Sequence, residues 1–172
     1  NNSSIIDILL LRDELVIFYY VKKDNQLFLY KQVAKDYMRF SNTQEAIDTL
    51  PFAKEIQLNV AQSKDKSYYA LHALLKNKKQ ATENYYVFNN EHSLVGEKEL
   101  SFQKEENKWG NLVQVQLSNK GTLFAVYKEE ALNKKQTIDR NKVWITSFVP
   151  LSNALYTYVF QQPDKYIISL LA

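Results

Sequence analysis

Two histidines, His72 and His92, are the side chains in this sequence best suited to moving a proton or holding a metal near neutral pH. His72 sits inside the apolar run SYYALHALLK, where a packed, hydrogen-bonded imidazole is expected rather than a base. His92 follows Asn89-Asn90-Glu91 in a turn-like stretch and could join Glu91 in a metal site, but two ligands without helical or strand spacing make a poor one. Glu97 and Glu99 share one face of an expected strand. Paired carboxylates work as acid and base only where a cleft shifts one of them, and the alternation of Glu with Lys98 reads as a solvated outer face. Cysteine is absent, which removes disulfides, thiol nucleophiles and cysteine-ligated metals. No glycine-rich phosphate loop, nucleophile elbow or zinc-protease pattern occurs. The expectation is a protein that is not an enzyme, with no catalytic residue, no metal and no cofactor.

A second chemistry to weigh is stacking on nucleic-acid bases. In NKGTLFAVYK, Lys120, Gly121, Phe124 and Tyr127 fall on the core octamer of the RNA-recognition motif, while Thr122, Leu123 and Ala125 do not. YYVFNN resembles the companion hexamer at Tyr86, Val87 and Asn89. That resemblance implies an amphipathic helix and a strand between the two pieces. Residues 91–111 carry no 3.6-residue apolar face, and one of the two stacking rings is replaced by Thr122. A looser single-strand binder would rest on aromatic strands and on the lysines Lys76, Lys78, Lys79, Lys134 and Lys135. Lysine-rich loops are more commonly solvated tips that discourage edge pairing, and a net charge of +3 is weak for a nucleic-acid partner.

Tyrosine supplies the third chemistry. Phe18-Tyr19-Tyr20, Tyr68-Tyr69, Tyr85-Tyr86 and Tyr156-Thr157-Tyr158 put rings on both faces of expected strands. One ring of each pair should pack inward, and the other can offer contact area with a polar tip. Tyr19, Tyr69, Tyr86 and Tyr158, with Lys120 at a hairpin tip, are the candidate interaction surface.

The elements that must position these groups are strands. Twelve Tyr and nine Phe favour pleated, half-buried segments, and only three Gly and three Pro leave turns to the fifteen Asn and to Asp. IIDILLL, LVIFYYV and QLFLYKQV form a meander joined by Arg12-Asp13-Glu14 and Lys23-Asp24-Asn25. One or two short helices are expected around 33–50: Val33, Tyr37, Met38 and Phe40 suggest the first, and Ser41-Asn42-Thr43 would cap a second through Ala46, Ile47 and Leu50 up to Pro51. EIQLNVAQ alternates as a strand with one wet face. Residues 67–76 fit helix or strand, with strand favoured. Lys76 to Glu83 reads as a polar loop, and 104–110 as a charged one. Further strands follow at NYYVFNN, LVGEKELSFQ, NLVQVQL, GTLFAVYK, VWITSFV, LYTYVF and YIISLL, with one helical turn at KEEALNKK. No fixed-period repeat and no βαβ rhythm is visible.

The fold class is therefore mainly β, an antiparallel sandwich or barrel-like meander, with residues 1–172 forming a single domain and a weak internal boundary near Pro51. An apolar share of 45% and a charged share of 24% argue against disorder. No run reaches the roughly 18 apolar residues of a membrane helix. The leading expectation is a non-catalytic protein-interaction or scaffold module of a bacterial cell-envelope or secretion-type assembly, from an AT-rich genome. Its partner would be another protein, held by a sheet edge or a tyrosine-bearing face. The NNSS start and the lack of cysteine fit an exported chain, periplasmic or membrane-anchored through residues upstream of Asn1, although a cytoplasmic site fits as well. The alternatives are a small-ligand carrier barrel, which needs small inward residues, and a single-strand nucleic-acid module.

Overall fold

The computed structural model describes residues 2–35, 39–40, 44–103, 110–129 and 142–161. Within them the chain makes thirteen strands and one 3-10 turn. Strands β1 (Asn2–Leu11), β2 (Glu14–Lys23) and β3 (Gln26–Lys35) form the expected meander, and β3 also pairs with the two-residue β4 (Arg39–Phe40) and with β5 (Glu45–Pro51). The second sheet runs β6 (Glu55–Gln62), β7 (Tyr68–Lys76), β8 (Gln80–Asn89), β9 (Leu94–Gln103). The third runs β10 (Gly110–Leu117), β11 (Leu123–Glu129), β12 (Lys142–Val149), β13 (Ala154–Gln161). Every pairing is antiparallel.

Among the described residues the three sheets are stacked and do not close into a barrel. Alternation along β7 and β8 decides the stacking. Tyr69, Leu71, Ala73, Leu75, Tyr86 and Phe88 pack against Phe18, Leu27 and Leu29 of the first sheet. Ala70, Tyr85 and Val87 pack the other way, against Leu123 and Phe148 of the third. Leu74 and Ala81 continue that second joint against Ala125 and Tyr127. The central sheet is thus covered on both faces, and β7 reads YYALHALLK because neither face meets water. The first strands lie together: β6 is against β1 on one side and β10 on the other. Each sheet is thus an antiparallel meander, and the first strands of the three sheets are neighbours.

Several expectations from the sequence are corrected here. Residues 45–50 form a strand, not a capped helix, because pairing with β3 buries Leu50 and turns Ile47 onto the core. Val33 is likewise within β3, while 36–38 and 41–43 lie outside the described residues. Lys76 and Glu83 belong to β7 and β8 and are buried, so the polar loop shrinks to 77–79. The face of β6 expected to be wet turns its Ala61 into the joint with the third sheet. The meanders start at Asn2, Glu55 and Gly110, so the chain repeats an architecture about every 54 residues with no matching residue pattern. The ambiguity at 67–76 resolves as strand. KEEALNKK and YIISLL lie outside the described residues.

Close approaches fix the stack at one end. Gly96 in β9 faces the 3-10 turn Pro150–Ser152, and a methyl group there would sit 2.6 Å from Pro150 Cβ and 2.9 Å from its Cα. Gly121, at φ +77°, presses its bare Cα side toward the Tyr68 ring. Gly96→Ala is expected to destabilise the protein by about 1–3 kcal/mol through overpacking. Chemical denaturation measures this, and an unchanged midpoint would show that the turn moves aside freely.

Candidate interaction faces

Both outer sheets carry apolar side chains on the face turned away from the stack. In the first sheet, Ile5 pairs with Tyr19, Ile8 with Ile17 and Leu10 with Leu15, all opposite in direction to the inward Phe18. Ile5 is 64% exposed, Ile8 49% and Leu10 44%. In the third sheet, Tyr156, Tyr158 and Phe160 pair with Ser147, Ile145 and Val143, again opposite to the inward Phe148. These three rings on β13 are each about half exposed, and Tyr156 stacks on Tyr158 with centroids 6.5 Å apart. Covering the free half of such a ring is worth about 2 kcal/mol at the usual area coefficient.

The tyrosines singled out from sequence separate into two groups. Tyr69 and Tyr86 are buried in the joint between the first and second sheets and cannot belong to a surface of this chain. Each doublet of the second sheet splits, one ring to each neighbouring sheet, so neither ring is left outside. Tyr19 lies on the outer face of the first sheet, half-buried and stacked on Tyr30 at 5.3 Å. Tyr158 lies on the outer face of the third, and Lys120 is exposed at the β10–β11 tip. Those three do not converge. The apolar β1 residues, above all Ile8 and Leu10, were missed in the sequence. Their signal was present in IIDILLL, which is apolar at both strand parities.

Polar chemistry is concentrated inside the two joints. Between the first and second sheets, the Lys31 side chain is fully buried, with its Nζ 3.0 Å from Glu45 and 4.2 Å above the Phe88 ring. It donates to the carbonyl of His92. Burial lowers the Lys31 pKa, and Glu45 opposes that shift. His92 has φ +66°, its Nε2 is 2.7 Å from Glu14, and its Nδ1 is 3.0 Å from the Tyr69 hydroxyl. A neutral imidazole satisfies both contacts, Nε2–H donating to the carboxylate and Nδ1 accepting from the phenol. His92 therefore holds the β8–β9 turn to the first sheet. Glu91, its suggested metal partner, points out into solvent, and no cluster of three metal-ligating groups occurs among the described residues. Tyr86 donates to Asp48 in the same joint.

Between the second and third sheets, buried Glu83 accepts from the Tyr85 and Tyr127 hydroxyls, and Thr146 lies 2.8 Å from Tyr85. His72 Nε2 is 3.4 Å from the Tyr127 hydroxyl. Burial raises the Glu83 carboxyl pKa despite two phenol donors, and it pushes the His72 imidazole down to about 3. His72 is thus the packed residue its sequence context indicated. Two grooves, of about 460 Å³ beside Gln62, Lys64 and Asn119 and about 530 Å³ beside Tyr20, Lys22 and Lys54, have no carboxylate or histidine in their described linings.

No family model matches this chain, and no curated protein matches it. Among solved structures, a mutant of the Synechocystis apocarotenoid oxygenase is similar over 85% of this chain, with a TM-score of 0.44 and 11% identity. The chain spans about a third of that structure's length, 35%. At that score the likeness carries no argument about this chain's chemistry.

The buried pair gives opposite pH signatures. His72 is neutral in the fold and protonates near 6.5 once unfolded, so its contribution to stability is full above that value and is lost as pH falls. From pH 6.5 to pH 5 the protein is expected to lose about 2 kcal/mol more than His72→Gln does, measured by denaturant titration at each pH. Glu83, with its pKa raised in the fold, contributes most below the ordinary carboxylate range and loses that contribution as pH rises through the folded value. Glu83→Gln should flatten that decline on the alkaline side. Parallel pH curves for either variant and the parent would show that the buried group does not titrate with folding.

Proposed function

We propose that this chain is a non-catalytic interaction or scaffold module that works through the outer faces of its first and third sheets. The carrying observation is the pair of half-exposed apolar rows, Ile5, Ile8 and Leu10 on β1 and Tyr156, Tyr158 and Phe160 on β13. The partner is another protein sheet or apolar surface, bound by face rather than by a tyrosine cluster at a loop end. Among the described residues the sheets are stacked and open, which favours this reading over a carrier barrel with an enclosed lumen. The buried acid, base and phenols point into joints filled by side chains, so they act as ties rather than as reagents. Lys76, counted among the loop lysines of a nucleic-acid surface, is 7% exposed inside the second sheet, which removes one charge from that alternative. The RNA-recognition pattern also loses its helix: β9 and β10 occupy 94–103 and 110–117. An exported, cell-envelope setting accompanies the proposal, supported by a chain of 172 residues without cysteine.

Photo-crosslinking amino acids placed at Ile8, at Tyr158 and, as a control, at exposed Lys66 test the reading in cells that make the protein. Discrete protein adducts are expected from positions 8 and 158 and none from 66. Equal or absent adducts at all three would remove the proposal.

A further inference from the structure

The groove of about 530 Å³ between the first and second sheets combines an apolar floor with charge of one sign. Leu27 and Ala53 in its lining are buried, and Ile6, Ile56 and Leu58 pack partly against the core beneath. The floor is therefore a fixed part of the joint. The irregularity in β1 between Ile5 and Asp7 brings two consecutive side chains, Ile5 and Ile6, to the same groove. The segment 52–54 leading from β5 to β6 also lines it and is held at two points. The Phe52 amide donates to the Asn25 carbonyl at 2.9 Å, and the Lys54 amide donates to Asn77 Oδ1 at 3.1 Å. The charged side chains in the described lining are Lys22 and Lys54, with no carboxylate among them. Lys22 Nζ lies 3.6 Å from the centroid of the Phe52 ring, which holds the ammonium at the groove. Among the described residues neither lysine joins an ion pair.

We propose that this groove binds a single-chain amphiphile with an anionic head, a fatty acid in the simplest case. The acyl chain lies on Ile6, Ile56 and Leu58, and Lys22 and Lys54 hold the carboxylate. Small-molecule sites occupy roughly 300–1,000 Å³, so a groove of this size takes one chain rather than the face of a bilayer. Each methylene covered tightens binding about fourfold at full burial, which makes the tail the main source of affinity. An ammonium is a compact point charge, so the two lysines select the sign of the head and not its shape. The site is separate from Ile8 and Tyr158, and it holds whether or not the face contacts do.

Isothermal titration of the chain with dodecanoate, kept below its micellar concentration, tests this. Saturable one-to-one binding is expected, weaker by about tenfold or more for octanoate and absent for acetate. Lys22→Gln and Lys54→Gln should each weaken dodecanoate by about two- to fivefold, and the double variant by about tenfold. Both side chains are exposed, so circular dichroism should stay as in the parent. Lys64→Gln, in the other groove, should leave the affinity unchanged. Dodecyltrimethylammonium, with the same tail and the opposite charge, should bind at least about tenfold more weakly than dodecanoate. Equal affinity for the two amphiphiles would mean apolar adsorption without charge recognition, and it overturns the proposal. So does dodecanoate binding indifferent to both lysines, or no saturable binding at all. Association with anionic phospholipid vesicles without binding of dodecanoate in solution overturns it as well, assigning the lysines to a membrane surface.

Discussion

A sheet whose strands are apolar at both parities needs a cover on each side, and the rest of this structure follows from meeting that need for the second sheet. Tyr69, Leu71 and Leu75 leave water only if the first sheet lies over them. Ala70, Leu74 and Val87 do so only if the third sheet lies opposite. Burying a large side chain of this kind is worth about 1.5–3 kcal/mol, far more than an exposed ion pair. The stacking order is set by that difference, and the polar contacts then choose the register within it.

Those polar contacts are few, and most have a partner across the joint they occupy. Lys31 cannot be buried without Glu45 and the His92 carbonyl, and Glu83 cannot without the two phenols that donate to it. An unpartnered buried charge would cost several kcal/mol, so each cluster penalises any sliding of one sheet over another. Apolar packing brings the sheets together with little directional preference. The Lys31 and Glu83 groups remove the remaining freedom.

Much of the strand content was legible because period-two runs such as LVIFYYV and QLFLYKQV report pleated geometry directly. The hairpin at Asn119-Lys120-Gly121 was legible for the same local reason, with Gly121 at φ +77° as the turn demands. The segment EAIDTLP misled because its acidic residues and the Ser-Asn-Thr before it imitate a helix start. Seven residues alone form no stable helix, and pairing with β3 decides the outcome. Tyr69 and Tyr86 misled for another reason. A tyrosine doublet shows that both faces of a strand carry rings, but not whether the second face meets water or a neighbouring sheet. That depends on stacking order, which has no local signature.

The hydrogen-bonded pairings carry one more implication. Nearly all join strands next to each other in sequence, with β5 skipping back to β3 the main departure, and among the described residues no backbone-to-backbone hydrogen bond links one sheet to another. Such a chain behaves as a row of three units whose free energy is close to a sum of unit terms and nearest-neighbour terms. The middle unit has two neighbours and each end unit one. Backbone amides in β7 and β8 should accordingly open to solvent only with the whole molecule, whereas those of β13 open through local unfolding of its own sheet. Rigidity is therefore greatest in the centre and falls toward the two outer sheets.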